Sequence, residues 1–185
     1  MLQSVKKSIK KLLGIKTVSR IDELKSRGMK VGSNFFMFGE CIIDGGHAWL
    51  IEIGDNVTLA PRVYILAHDA STKIYLDHSK IKKVKIGNNV FIGGCAIIMP
   101  GVTIGNDVII GAGSVVTKNV PDNSVYAGNP ARFLAHTDTY IADQKKLMKN
   151  KNTFGKEYTL AQNISEQKKE EMKKALDEEG MGFIF

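Results

Sequence analysis

The 185-residue sequence predicts a mainly β fold, a parallel β-helix of stacked short strands with helical segments at both ends. Three observations carry this. Stepping by sixes from Ile86 gives Ile92, Ile98, Ile104, Ile110 and Val116, all aliphatic and β-branched. The position four residues further on is small or apolar throughout: Val90, Ala96, Val102, Val108, Ser114 and Val120. Glycine follows the aliphatic residue at Gly87, Gly93, Gly105 and Gly111. A helix would repeat its apolar positions about every three or four residues and a plain strand about every two. A strict six fits short strands separated by sharp corners, each aiming one aliphatic side chain into a shared core. Glycine, Asn and Asp supply the corner geometry, as in Gly87-Asn88-Asn89 and Gly105-Asn106-Asp107. Stacked coils bury one another's aliphatic residues, so no coil is stable alone.

Taken in order, residues 1–30 read as an amphipathic helical segment ending near Gly28. It holds nine basic residues and two acids, so it accounts for the whole formal charge of +7. Its apolar Val5, Ile9, Leu12 and Leu13 suit a helix that caps the fold with its lysines in water, or one that touches an anionic membrane surface weakly. The remainder is formally neutral and carries no basic stripe, which argues against nucleic acid as a partner. Met1–Leu13 has no continuous apolar stretch of the secretory kind, and no run approaches the roughly 20 apolar residues of a membrane span. A cytoplasmic location is expected. Cys41 and Cys95 sit among apolar residues without metal-binding spacing and read as two buried reduced thiols.

The repeat begins weakly at Val31-Gly32, strengthens at Ile53, Leu59 and Ile65, and runs to about Val125 within a domain spanning 31–135. Ile65 and Ile86 are 21 residues apart, not a multiple of six. The polar, basic stretch 69–83 therefore leaves the coil as an extruded loop, and such a loop is a candidate functional element. Pro121 and Pro130 end the regular coil. Residues 136–185 form a C-terminal extension rich in Lys, Glu, Gln and Met, read as helices, for example over Ser165–Glu179.

The stretch Ile86–Phe133 resembles the hexapeptide-repeat acyltransferases, and most of all their galactoside, maltose and capsular-polysaccharide O-acetyltransferase branch. Val116-Thr117-Lys118-Asn119-Val120-Pro121 followed by Tyr126-Ala127-Gly128-Asn129-Pro130-Ala131-Arg132 is the most specific part of the likeness. The resemblance covers roughly residues 30–135. It implies a left-handed coil, against the usual right-handed crossover, and a homotrimer with active sites between subunits. It also implies acetyl-CoA as donor, a small-molecule sugar or glycan as acceptor, and no metal. Related enzymes usually end near the Asn-Pro-Ala-Arg motif, so the extension is a departure.

Acetyl transfer from a thioester to a hydroxyl needs a base for the hydroxyl proton, and histidine, with an unperturbed pKa of about 6.5, suits that task. The resemblance makes His68, at the foot of the extruded loop, the catalytic base. Asp69 could orient His68, bind the acceptor, or open the loop as a turn residue. His78 lies within the loop. His47, in Gly45-Gly46-His47-Ala48-Trp49, could line the acceptor pocket or be structural. His136 lies past the coil. The resemblance also places the pantetheine arm of the donor along small residues. Gly94 and Ala112 match positions that contact the arm, and Thr117, Lys118 and Arg132 match positions near the adenosine and phosphates. A family tryptophan is replaced by Phe91, and a family asparagine near the acceptor is absent around Met37–Gly39.

Four other readings compete. N-acetyl transfer to an amino sugar shares fold and donor. A non-catalytic scaffold shares the fold alone. A γ-type carbonic anhydrase needs three zinc-binding histidines, and His68 and His78 have no third partner in register. A sugar nucleotidyltransferase needs a nucleotide-binding domain, which the segment before the coil is too short to form.

Overall fold

The computed structural model describes residues 19–185. The apolar residues of the basic segment singled out above lie outside the described residues. Helix α1 (Arg20–Ser26) opens the described part. Ser19 caps it by accepting the Asp22 N–H at 3.1 Å, and Asp22 and Glu23 place negative charge at its N-terminus. Leu24 turns the other way and is wholly buried.

The coil follows as a left-handed parallel β-helix with three faces. The first face orders β1 (Lys30–Val31), β4 (Ile51–Ile53), β9 (Val84–Ile86) and β12 (Thr103–Ile104). The second orders β2 (Phe36–Met37), β5 (Val57–Leu59), β10 (Val90–Ile92), β13 (Val108–Ile110), β15 (Ser124–Ala127) and β16 (Arg132–His136). The third orders β3 (Ile42–Ile43), β6 (Tyr64–Ile65), β11 (Ile97–Ile98) and β14 (Val115–Val116). The hexad positions Ile86, Ile92, Ile98, Ile104, Ile110 and Val116 are all buried, as are the residues four further on. Ser114, the polar member of that second series, is satisfied inside: its Oγ donates to Gly111 O at 2.6 Å and accepts the Gly128 N–H at 3.1 Å.

The corner between the first two faces explains its sequence. Asn34, Asn56, Asn89 and Asp107 all take left-handed backbone angles there. Each amide of Asn34, Asn56 and Asn89 donates to the next coil's side-chain oxygen at 2.9 Å, forming a ladder along the helix axis. Glycine precedes this ladder because the coils touch: a Cβ on Gly87 would stand 2.6 Å from the Gly105 carbonyl oxygen. Gly87→Ala must force the coils apart, and a loss of about 1–3 kcal/mol is expected. Urea denaturation of the variant beside the wild type measures it.

Inter-coil spacing locates the insertions. The third and fourth coils pair at 18 residues, three hexads. The first and second pair at 22, and the second and third at 33. Residues are therefore added to the first coil between β3 and β4 and to the second between β6 and β9, at the same corner of successive turns. In the second insertion, β7 (His68–Asp69) pairs antiparallel with β8 (Lys80–Ile81), and a single helical turn, α2 (Lys73–Leu76), forms the tip.

The cysteine expectation needs correction. Cys41 is half-buried and Cys95 is exposed. Cys95 occupies a left-handed corner position, as Arg62 does one coil earlier, and that position points outward.

The chain divides into two compact units between Ala135 and His136. The second holds α3 (Thr137–Lys149) and α4 (Glu166–Glu179), the latter capped by Ser165, whose Oγ accepts the Lys168 N–H, and stopped by left-handed Gly180. It also holds a parallel strand pair, β17 (Asn152–Phe154) and β18 (Gly182–Ile184), where the sequence led us to expect helix alone. Among the described residues no helix is long and apolar enough to cross a membrane.

Candidate active site

Because both insertions leave at one corner, residues far apart in sequence meet there. Asp44 begins the first insertion, and its N–H donates to Ile65 O of the coil above at 3.0 Å. Its carboxylate is almost fully buried. Oδ1 accepts the N–H groups of Gly46 and His47, each at 3.1 Å, and Oδ2 accepts the Ala67 N–H at 3.1 Å. Oδ2 also bonds Nδ1 of His68, the first residue of the second insertion's hairpin. Burial pushes the Asp44 pKa up, but the hydrogen bonds from His68 and the Ala67 N–H outweigh it, leaving the carboxyl below its ordinary value. Asp44 is thus an anion at neutral pH.

That anion fixes the imidazole. With Nδ1 donating to Asp44, Nε2 carries the free lone pair. His68 is 39% exposed, enough for a substrate to reach Nε2. An imidazole with an ionised carboxylate on Nδ1 and an open Nε2 has the geometry to accept a proton from a hydroxyl and to stabilise the resulting imidazolium.

Asp69 makes different contacts. It pairs with Lys80 Nζ at 2.7 Å and accepts the Ser71 N–H at 2.9 Å. The Lys80 bond, followed by those from Ser71, holds its carboxyl well below the usual carboxylate range. The carboxylate bonded to His68 is therefore Asp44, which sequence reading missed, while Asp69 is engaged by Ser71 and Lys80. His47 lies beside the pair, its ring 4.9 Å from that of His68. Its Nδ1 is 3.4 Å from Asp44 Oδ1, within ion-pair range but outside hydrogen-bonding geometry. His78 is exposed in the loop and bonds Leu76 O.

Asp44, His47 and His68 are also the group of described residues with ligand atoms close enough, within 4.8 Å, to hold a metal. Both Asp44 oxygens and His68 Nδ1 are committed to hydrogen bonds, which fits an acid–base pair better than a metal cage.

Next to the His68 hairpin, Asp69, Lys80, Lys82, Met99, Pro100 and Thr117 line a pocket of about 210 Å³. Thr117 and Lys118 follow β14 at the same corner as His68, two coils on. Gly94 and Ala112 lie at the neighbouring corner, across the two-residue strands β11 and β14, where the Gly113 N–H donates to Gly94 O at 2.8 Å. Ala112, Thr117, Lys118 and Arg132 are all exposed. A larger groove of about 500 Å³ along β4, β9 and β12 contains no imidazole or thiol.

The structure is a three-faced β-helix with an imidazole–carboxylate pair at one corner, and comparison with known proteins sets it among acyl-transfer enzymes. Residues 83–118 match the family model "Bacterial transferase hexapeptide (six repeats)". Protein CapG of Staphylococcus aureus is 39% identical over 152 residues, covering 80% of this chain and 84% of that protein. Galactoside O-acetyltransferase of Escherichia coli (strain K12) is 38% identical over 56% of this chain, which spans only 52% of that enzyme. Among solved structures, a maltose O-acetyltransferase from Clostridium difficile 630 is 46% identical over 59% of each chain, with a TM-score of 0.54. A galactoside acetyltransferase in complex with coenzyme A is 30% identical, with a TM-score of 0.51, over 69% of this chain and 76% of that one. The chain belongs to the hexapeptide-repeat acyltransferase family, and it is an acetyltransferase.

Proposed function

We propose that the protein transfers an acetyl group from acetyl-CoA to a hydroxyl of a sugar or surface-polysaccharide precursor in the cytoplasm, with His68 as general base. The observation that carries this reading is the buried Asp44 anion bonded to His68 Nδ1. The acceptor hydroxyl gives its proton to His68 Nε2 as its oxygen attacks the thioester carbonyl. Collapse of the tetrahedral intermediate expels the CoA sulfur, which takes the proton back from His68. Asp44 stays ionised throughout and stabilises the transient imidazolium.

The named relatives support a sugar acceptor, and the coenzyme A complex of one neighbour supports the donor. We place the catalytic domain at 31–135. The arm of the donor runs beside Gly94 and Ala112, with Thr117 close to it and the phosphates near Lys118 and Arg132. The subunits form a trimer: Ile42 and Tyr64 stack as an exposed apolar stripe on the third face, and Phe36 and Phe91 are exposed on the second. Such patches mark protein contacts. Sedimentation is expected to give a trimer, and a stable monomer would remove the intersubunit site.

The donor path has its own test. Ala112→Trp is expected to block CoA binding sterically in calorimetry. Lys118→Glu should weaken it, with a deficit that shrinks as salt rises, since exposed charge interactions are screened over a Debye length of about 10 Å at 0.1 M. Wild-type protein that fails to bind CoA at millimolar concentration would overturn the enzymatic reading.

A further inference from the structure

The four residues added to the first coil bring more than Asp44 to the corner. They carry a row of rings. His47 stands 4.9 Å from His68, and Trp49 stands 5.6 Å from His47, centroid to centroid, tilted by 39° and 51° respectively. Trp49 sits in a short turn, Ala48–Leu50, whose Ala48 is wholly buried. Its own side chain is not buried with it: Trp49 is 57% exposed. The base of that side chain is held firmly, because Gly28, at φ +97°, leaves no room for a Cβ beside the Trp49 Cβ, 2.9 Å away. Arg27 Nη1 further pins the segment by donating to Gly45 O at 3.2 Å. An indole fixed at its root and open at its face is a preorganised platform.

We propose that Trp49 is the acceptor-binding platform, stacking on the apolar C–H face of a pyranose ring so that one sugar hydroxyl reaches His68 Nε2. This rests on the sugar-acceptor reading above and sharpens it. The acceptor is a ring with one carbon–hydrogen face, not a short open-chain hydroxyl compound. The chemistry fits the position. The electron-rich indole face attracts the weakly positive C–H edge of a sugar, and its N–H offers a donor to a hydroxyl. His47, with a buried Nδ1 that makes no hydrogen bond, separates the platform from the base.

Trp49 is the sole tryptophan of the chain, so its fluorescence reports this one place. The experiment begins with a thiol-release screen of pyranosides, methyl galactoside and maltose included, against acetyl-CoA. The best acceptor is then titrated without acetyl-CoA. It is expected to change Trp49 emission and protect it from acrylamide quenching, whereas glycerol, serine and CoA alone do not. Trp49→Ala is expected to raise KM for that sugar about tenfold, with kcat and CoA affinity nearly unchanged, and Trp49→Phe to recover most of the loss. An acetylated pyranoside that leaves both Trp49 emission and the Trp49→Ala KM unaltered would overturn the proposal while the enzymatic reading stood. Acrylamide access that follows protein concentration but not sugar would also overturn it, by making Trp49 a subunit contact. CoA binding with no pyranoside acetylated would instead remove the sugar reading itself.

Discussion

His68→Ala is expected to lower turnover by about 10²–10⁴-fold while leaving CoA affinity near that of the wild type. The size follows from the role. The base is needed as the hydroxyl oxygen attacks, so its loss is felt in the chemical step. The split between kcat and binding follows from position, because Gly94 and Ala112, the small residues assigned to the donor arm, lie at the neighbouring corner. Calorimetry with CoA and a thiol-release assay on the same preparation give both quantities. Full activity in His68→Ala would return attention to His47 and His78.

Asp44→Asn should be nearly as damaging. An amide cannot serve as the anion that holds His68 Nδ1–H and stabilises the imidazolium, so a loss of about 10²–10⁴-fold in kcat is expected. Asp44 also accepts three backbone N–H groups, from Gly46, His47 and Ala67. Asp44→Ala strands those donors in a buried place and should additionally cost about 1–3 kcal/mol of stability. The pH dependence has a definite sign. The native Asp44 pKa lies below that of the unfolded chain, so its stabilisation is present above the unfolded carboxylate pKa of about 3.9 and is lost as pH falls through the lower native value. The Tm gap between wild type and Asp44→Asn should therefore be full at neutral pH and narrow only in strong acid. Asp69→Asn, which breaks an exposed pair with Lys80, should leave kcat within a few fold.

The coil was legible because its physics is periodic. Every hexad needs one aliphatic side chain for the core and one tight corner, and Ile86 to Val116 state that without exception. The handedness was not in the period and came from the resemblance. Asp44 was harder to read because it lies 24 residues before His68, outside any local motif. One signal could have found it. Ile43 stacks on Ile65, so Asp44, one residue beyond the first, and His68, three beyond the second, leave the coil at a shared corner. Cys95 was misread for a related reason: apolar neighbours suggested burial, whereas its corner register, shared with Arg62, points to solvent. The β17–β18 pair was hidden because Asn152–Phe154 and Gly182–Ile184 are too short and too far apart to announce a sheet.

An Asp44–His68 pair acting as proposed makes an O-acetyl ester from acetyl-CoA. The most direct measurement is mass spectrometry and NMR of the product formed from acetyl-CoA and a pyranoside by wild-type protein, with His68→Ala alongside. The expected result is a monoacetylated sugar whose acetyl group is removed by mild alkali or hydroxylamine, and almost none from the variant. An alkali-stable acetamide formed only from amino sugars, or equal product from both proteins, would contradict it.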